Sequence, residues 1–291
     1  MKLSIIILNY KTQDLTVSCI DSLKKNYREE FASLEFEIII FDNNSRDNSV
    51  KTFRKLYKDE PYIQIHESDE NLGFGKGNNE AARFATGKYL MFLNSDTVVE
   101  DKGILGMLAF LEKTQNAGIL GAKLFNKDGT PQRSAGSYYK ILNVFLLLVG
   151  AERLGLLRYS PNLEVQVDWV SGAAMLVAKK LFEEFSGFDE NIFMYMEDME
   201  LCYRVRKSGQ DIYFYPEVSI KHMGEGSSNR SYAIVSIYQG ILYFYKKHMP
   251  SWQYKTVRLM LKSKAHLLIK LGTITGNTYL TRTYEKALAV C

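Results

Sequence analysis

Along residues 1–125, short apolar runs alternate with stretches in which apolar residues recur every three to four positions. The runs at 3–8, 36–41, 63–66, 89–93 and 119–124 are bounded by polar residues or glycine. They are too short for buried helices, so the pattern predicts strands. Between them, 15–25, 50–57, 78–85 and 104–112 carry helical periodicity, as a βαβ sheet requires. Asp47-Asn48-Ser49 offers the oxygen acceptors of a helix start, and Asp128-Gly129 the positive φ of a hairpin turn.

The second half reads differently. Residues 167–178 form a long apolar β-like run interrupted by Ser171-Gly172, and Gly187-Phe188-Asp189 is a turn. Residues 198–207 predict a helix, and 212–215 a strand that ends at Pro216, which has no N–H to donate. From Tyr232 onward helices are expected, one ending near His248 and another running from about 252 to 271. The chain therefore predicts one mixed α/β domain followed by a helical tail.

Composition narrows the class. With 291 residues, 46% hydrophobic and 24% charged, the chain can bury a full core and is not disordered. Cys19, Cys202 and Cys291 match neither a zinc site nor a disulfide framework, which suits reduced structural thiols in a cytosolic protein. The apolar N-terminus is too short for a signal peptide, and the apolar stretch at 142–149 is cut by Glu152 and Arg153. Neither approaches the ~18 apolar residues of a membrane span. The net charge of +4 is unevenly spread: residues 246–291 hold nine Lys or Arg against Glu285, giving +8, and residues 1–245 sum to −4.

In open α/β sheets ligands bind beyond the carboxyl ends of the strands. The polar residues that close each apolar run are therefore the candidates for chemistry. The run 89–93 delivers Asn94, Ser95 and Asp96, and a carboxylate there suits a divalent cation shared with substrate phosphates. The run 36–41 delivers Asp42, which with Asn44 and Ser45 can accept hydrogen bonds from a base or ribose, or form a plain polar turn. Asn71, Gly73, Gly75 and Asn78 lie in a glycine-rich loop entering a helix, whose amides can approach phosphate or ribose. Its spacing fits neither the dinucleotide fingerprint nor a P-loop, and an ordinary strand-to-helix loop serves equally well.

Glu197 and Asp198, with Glu200 and Arg204 beyond them, follow an apolar aromatic stretch. Acids suit a helix start, and in a partly desolvated cleft a carboxyl raised above its ordinary pKa of ~3.9 is also a better general base. His222 either packs or joins Asp96 on a metal, tilting the preference toward Mn2+ over Mg2+. Ser171-Gly172 leaves a small polar gap in a core strand, which admits a bulky ligand or marks a bulge.

Taken in order, segments 4–10, 41–45, 71–78, 93–97, 170–176 and 187–204 resemble a family-2 glycosyltransferase of the GT-A fold. The likeness is strongest to bacterial rhamnosyltransferase-like members that build surface polysaccharides. It implies a Rossmann-like nucleotide-binding mixed sheet flanked by helices over residues 1–230, with a C-terminal helical extension over 231–291. Residues 1–125 would be the nucleotide-binding half and 126–230 the acceptor half. Asp42 would contact the base, and Asp96 would be the metal-binding acid of an Asp-x-Asp-type motif. Asp198 would be the catalytic base, and His222 a further contact to metal or diphosphate. Two departures stand out: Asn94 replaces the first acid of that motif, and Glu200 stands where relatives commonly carry Asp.

The expected activity is an inverting, metal-dependent transfer from a nucleotide sugar, dTDP-rhamnose by resemblance and UDP-sugars next, to a lipid-linked or polysaccharide hydroxyl. In the basic tail Lys255, Arg258, Lys262, Lys264 and Lys270 interleave with apolar residues. Such a helix suits the cytoplasmic face of a membrane, or packing on the domain or on a second subunit in a homo-oligomer. Nucleic acid is the poorer partner, because the cleft half is net acidic. A sugar-phosphate nucleotidyltransferase and a non-catalytic carbohydrate-binding module are the rival classes.

Overall fold

Four of the five apolar runs are buried on both faces inside one sheet, and the fifth, 63–66, forms its half-buried edge. In the computed structural model, which describes residues 1–151, 155–224 and 229–291, Ile5 and Ile7 pack on one side of the first strand and Ile6 on the other. In chain order the first half runs β1 (Leu3–Asn9), α1 (Gln13–Asn26), α2 (Arg28–Ala32), β2 (Phe36–Asp42), α3 (Ser49–Leu56), β3 (Ile63–Glu67), α4 (Phe74–Ala82), β4 (Tyr89–Leu93), β5 (Thr97–Val99), α5 (Gly103–Lys113) and β6 (Ala117–Phe125). The second runs β7 (Pro131–Gln132), β8 (Ala135–Gly136), α6 (Ile141–Leu148), β9 (Arg158–Tyr159), β10 (Val165–Gln166), β11 (Trp169–Val170), β12 (Ala174–Ala178), α7 (Lys179–Glu184), α8 (Glu197–Lys207) and β13 (Asp211–His222). Helices α9 (Arg230–His248), α10 (Ser251–Thr275) and α11 (Thr278–Ala289) close the chain.

The main sheet is ordered β10-β13-β6-β12-β4-β1-β2-β3, and a small second sheet is ordered β11-β8-β9. Strands β4, β1, β2 and β3 are parallel neighbours, and β6 and β13 pair in parallel. Between them β12 runs antiparallel to both β4 and β6. The carboxyl ends of β1, β2, β4, β6 and β13 therefore share one edge with the segment that enters β12. Mixed pairing of this kind brings Asn9, Asp42, Asp96, Ser171 and His222 toward the same rim.

Four departures from the sequence pattern have physical causes. Helix α4 starts at Phe74, four residues before the expected Asn78, because Gly73 adopts φ +78° and lets the Phe74 amide donate to the Phe193 carbonyl at 2.8 Å. A Cβ on Gly73 would lie 2.2 Å from that oxygen. The run 167–178 divides into β11 and β12, since the Ser171 amide leaves the main ladder and donates to the Ser134 carbonyl at 2.8 Å. Pro216 does not end its strand. Pairing of β13 with β6 breaks between Tyr215 and Ile220, so the proline costs no ladder bond, and the strand resumes to reach His222. Helix α11 lay beyond the pattern read from the sequence. Gly276 at φ +68° closes α10, and the Asn277 side chain accepts from the Leu280 amide at 3.1 Å to start α11.

Candidate active site

One cleft of about 790 Å³ opens on the rim just described. Asn94, Ser95 and Asp96 line it from the end of β4, Ser171 and Gly172 from the entry to β12, and His222 from the end of β13. Asn71 and Gly73 contribute from the glycine-rich loop, and Glu197 and Asp198 from the first turn of α8. The two carboxylates singled out in the sequence, at positions 96 and 198, thus face a shared space.

Asp96 is 4% exposed, and its Oδ1 lies 3.2 Å from His222 Nε2. Asn94 Nδ2 is also 3.2 Å from that nitrogen, and Gln132 Oε1 lies 2.7 Å from His222 Nδ1 on the far side of the ring. Among the described residues no cluster of three or more His, Cys, Asp or Glu surrounds a cation position. One carboxylate oxygen and one imidazole nitrogen fit a divalent cation that takes its remaining ligands from phosphate oxygens and water.

Asp198 Oδ2 accepts from the Gly172 amide at 3.1 Å. Burial raises its pKa above the ordinary aspartate value, against the lowering pull of the Gly172 and Met199 amides and the Arg158 charge. Glu197 is pushed up further, by burial first and then by the neighbouring Asp198 charge, and its Oε2 has no hydrogen-bond partner among the described residues. Preceding the pair, Tyr195 and Met196 both sit in left-handed backbone, at φ +69° and +82°. Two such non-glycine residues in succession mark stored strain at the helix entrance. Gly172 matters for proximity: a Cβ there would lie 3.5 Å from Asp198 Cβ and 3.1 Å from the Phe74 ring.

The remaining candidates stand outside the cleft lining. Asp42 is 4% exposed and accepts from Asn9 Nδ2 and Ser45 Oγ, each at 2.6 Å, and from the Ser45 amide. Asn44 is a left-handed residue bonded to Arg46, and Asn78 Nδ2 caps the Phe74 carbonyl inside α4. Gly75 faces Phe188 and Glu197 rather than open space. Glu200 is fully buried and meets Arg204 Nε at 2.8 Å, Lys247 Nζ at 2.8 Å and His248 Nε2 at 2.9 Å. Lys247 also bonds Asp189 at 2.6 Å. Burial would raise the Asp189 carboxyl, but Lys247, Asn191 and Tyr243 outweigh it and hold the group well below its usual range.

Three side chains at or behind the cleft escaped the sequence reading. Asn43 ties the end of β2 to the glycine-rich loop by accepting from the Leu72 amide and donating to the Gly73 carbonyl. Arg158, stacked over the Trp169 ring, lines the cleft from β9. Gln132 backs His222 from β7. Only the Asn43 signal was available in advance, because it belongs to the polar cluster that closes β2.

The sequence model described as glycosyl transferase family 2 matches residues 4–182, more than half of the chain. The chain belongs to glycosyl transferase family 2. It is 26% identical over 218 residues to the low-salt glycan biosynthesis hexosyltransferase Agl10 of Haloferax volcanii, covering 72% of this chain but 63% of that protein. It is 25% identical over 264 residues to the N-acetylglucosaminyl-diphospho-decaprenol L-rhamnosyltransferase of Mycobacterium tuberculosis, covering 80% of this chain and 83% of the relative. The family-2 chain also superimposes on a mannosyltransferase of Pyrobaculum calidifontis in complex with GDP-Man and Mn2+, with a TM-score of 0.60 at 14% identity. That superposition covers 99% of this chain and 85% of the other. The fold is GT-A, a mixed curled sheet flanked by helices with a helical C-terminus, as the resemblance implied.

Proposed function

We propose that this family-2 chain is an inverting glycosyltransferase that moves one sugar from a nucleoside diphosphate donor to an acceptor hydroxyl. What carries the reading is that the Asp96–His222 pair and the Asp198 carboxylate line the same cleft. Asp198 takes the hydroxyl proton as the new bond forms on the sugar face opposite the departing diphosphate. Its raised pKa suits a base at neutral pH, and the Gly172 amide fixes the direction of its lone pairs. Asp96 and His222 would hold a divalent cation, Mn2+ or Mg2+, which supplies Lewis-acid charge against the leaving phosphate.

Residues 1–125 would hold the nucleotide and 126–230 the acceptor, with 231–291 as an extension. In this reading Asp42, Asn44, Ser45, Gly75 and Asn78 shape the donor side from behind the lining, and Glu200 and Arg204 support α8. The rhamnosyltransferase relative favours dTDP-rhamnose as donor and a lipid-linked or polysaccharide acceptor, with UDP-sugars as the next donors to try. A lipid-linked acceptor would place the protein on the cytoplasmic face of a membrane. That face would be built by α6 and α10, where Leu142, Phe145, Trp252 and Leu259 are exposed.

The test is product analysis with dTDP-rhamnose or UDP-sugars, Mn2+ or Mg2+, and a diphosphoprenyl-linked sugar. Release of nucleoside diphosphate with transfer supports the proposal. Pyrophosphate release from a parallel mixture of nucleoside triphosphate and sugar 1-phosphate would indicate a nucleotidyltransferase, and no release in either mixture a binding module. Asp198→Asn should bind donor as the parent does and turn over about 10²–10⁴-fold more slowly, the usual contribution of general-base catalysis. Unchanged turnover would remove Asp198 from the mechanism.

A further inference from the structure

The hairpin between β6 and β7 carries a chain of hydrogen bonds whose direction is forced from one end. Asp128 is an ionised surface carboxylate, its pKa lowered chiefly by Thr130, and it can only accept. Thr130 Oγ1 therefore donates to it at 2.6 Å and must accept from Asn126 Nδ2 at 2.9 Å. That settles the Asn126 amide, whose Oδ1 then accepts from Gln132 Nε2 at 3.0 Å. With the Gln132 nitrogen so used, its Oε1 faces His222 Nδ1 at 2.7 Å and requires a proton there. Asn94 Nδ2, 3.2 Å from His222 Nε2, agrees by donating to the other ring nitrogen.

We propose that Gln132, oriented by Asn126 and the 126–130 turn, is a positioning residue that holds His222 as the Nδ1–H tautomer, with its Nε2 lone pair turned toward Asp96 to receive a divalent cation. The hydrogen bond on one imidazole nitrogen decides which nitrogen is left to ligate, and such outer partners typically contribute 10–100-fold to metal affinity. The proposal rests on the metal role of Asp96 and His222, and explains how a site with two protein ligands becomes directional. Gln132 sits on a two-residue edge strand, so its substitution leaves the core intact.

Two readouts test it without any activity measurement. With Mg2+ and dTDP present, ¹⁵N–¹H correlation of the His222 ring should show a protonated Nδ1 and an Nε2 without a proton. Gln132→Leu should shift the ring toward the other tautomer, and Gln132→Glu, which can still accept from Nδ1, should restore it. Mn2+ titration followed by electron paramagnetic resonance, with dTDP present, should show affinity about 10–100-fold weaker in Gln132→Leu. Gln132→Glu should recover it to within a few-fold. A bare Nδ1 in the parent, or parent-like Mn2+ affinity in a folded Gln132→Leu, overturns the proposal. Asp96→Ala separates the two layers: if it loses Mn2+ while Gln132→Leu does not, only the positioning role fails. If Asp96→Ala also binds as the parent does, the metal assignment itself fails.

Discussion

Asp198 and Glu197 are neighbours in sequence with unequal surroundings, and the inequality has a kinetic consequence. Both carboxyls are raised by burial, and the neighbouring Asp198 charge adds to the rise at Glu197. A base must be deprotonated to act. The acid limb of the kcat profile should therefore fall as pH drops, with an apparent pKa above the ~3.9 of a free aspartate. Burial, not a Glu197 charge, raises Asp198, so Glu197→Gln should leave that limb in place. A limb that moves toward lower pH would show Glu197 to be ionised beside Asp198. Asp96 and Asp198 were legible as cleft residues because one follows an apolar run and the other opens a helix, whereas His222 stood out only as a lone histidine, its strand being expected to end at Pro216. Gln132 and Arg158 were not, since nothing local marks them: they reach the rim through the β6–β7 return and the small second sheet. Asp42 was legible as a strand-end acid in a polar turn, but not its enclosure, because Asn9 meets it only once β1 and β2 pair.

Helix α8 is the element on which the proposed base depends, and its position is set from outside its own sequence. Its first turn is acidic, which matches the helix dipole. The heavier restraint is Glu200, fully buried, paired with Arg204 from within the helix and Lys247 from α9, and hydrogen-bonded to His248. Arg204 also donates to the carbonyls of Phe185 and Gly187, which extends the clamp to the turn before α8. Glu200→Ala leaves those cations clustered without their carboxylate. It should cost about 3 kcal/mol, at the low end for breaking a buried pair because Lys247 remains partly solvated. Urea unfolding measures this, and a change below about 1 kcal/mol would show the cluster to be dispensable. The helical period of 198–207 was readable from the chain. The left-handed Tyr195-Met196 entrance was not, because it is imposed by packing: a Cβ on Gly240 of α9 would lie 2.6 Å from Met196 Cγ.

At the scale of the whole molecule, the chain separates a chemical rim from an apolar flank. Among the described residues no helix is long and apolar enough to cross a membrane. Yet Trp252, Leu259, Leu267 and Ile274 are all more than 60% exposed, and they lie on the side of α10 opposite the buried Val257, Leu261 and Ala265. Leu142, Phe145 and Val149, on and just beyond α6, add to this flank. Lys255 and Lys270 lie along the same outward side, each contributing about 1 kcal/mol near an anionic leaflet. Leu259→Glu with Leu267→Glu should abolish flotation with phosphatidylglycerol-containing liposomes while leaving turnover on a soluble acceptor analogue unchanged. Equal flotation of parent and variant would assign the flank to some other contact. Point changes are the right tool here because the basic tail is not one thing: its outer lysines are spread over the surface, whereas Lys247 and His248 are spent inside the domain. The order of synthesis then matters. A growing chain that has reached residue 246 already contains Asp96, Asp198 and His222, but Glu200 still waits for Lys247 and His248. The support of α8 is thereby completed only once the end of α9 has folded back onto it.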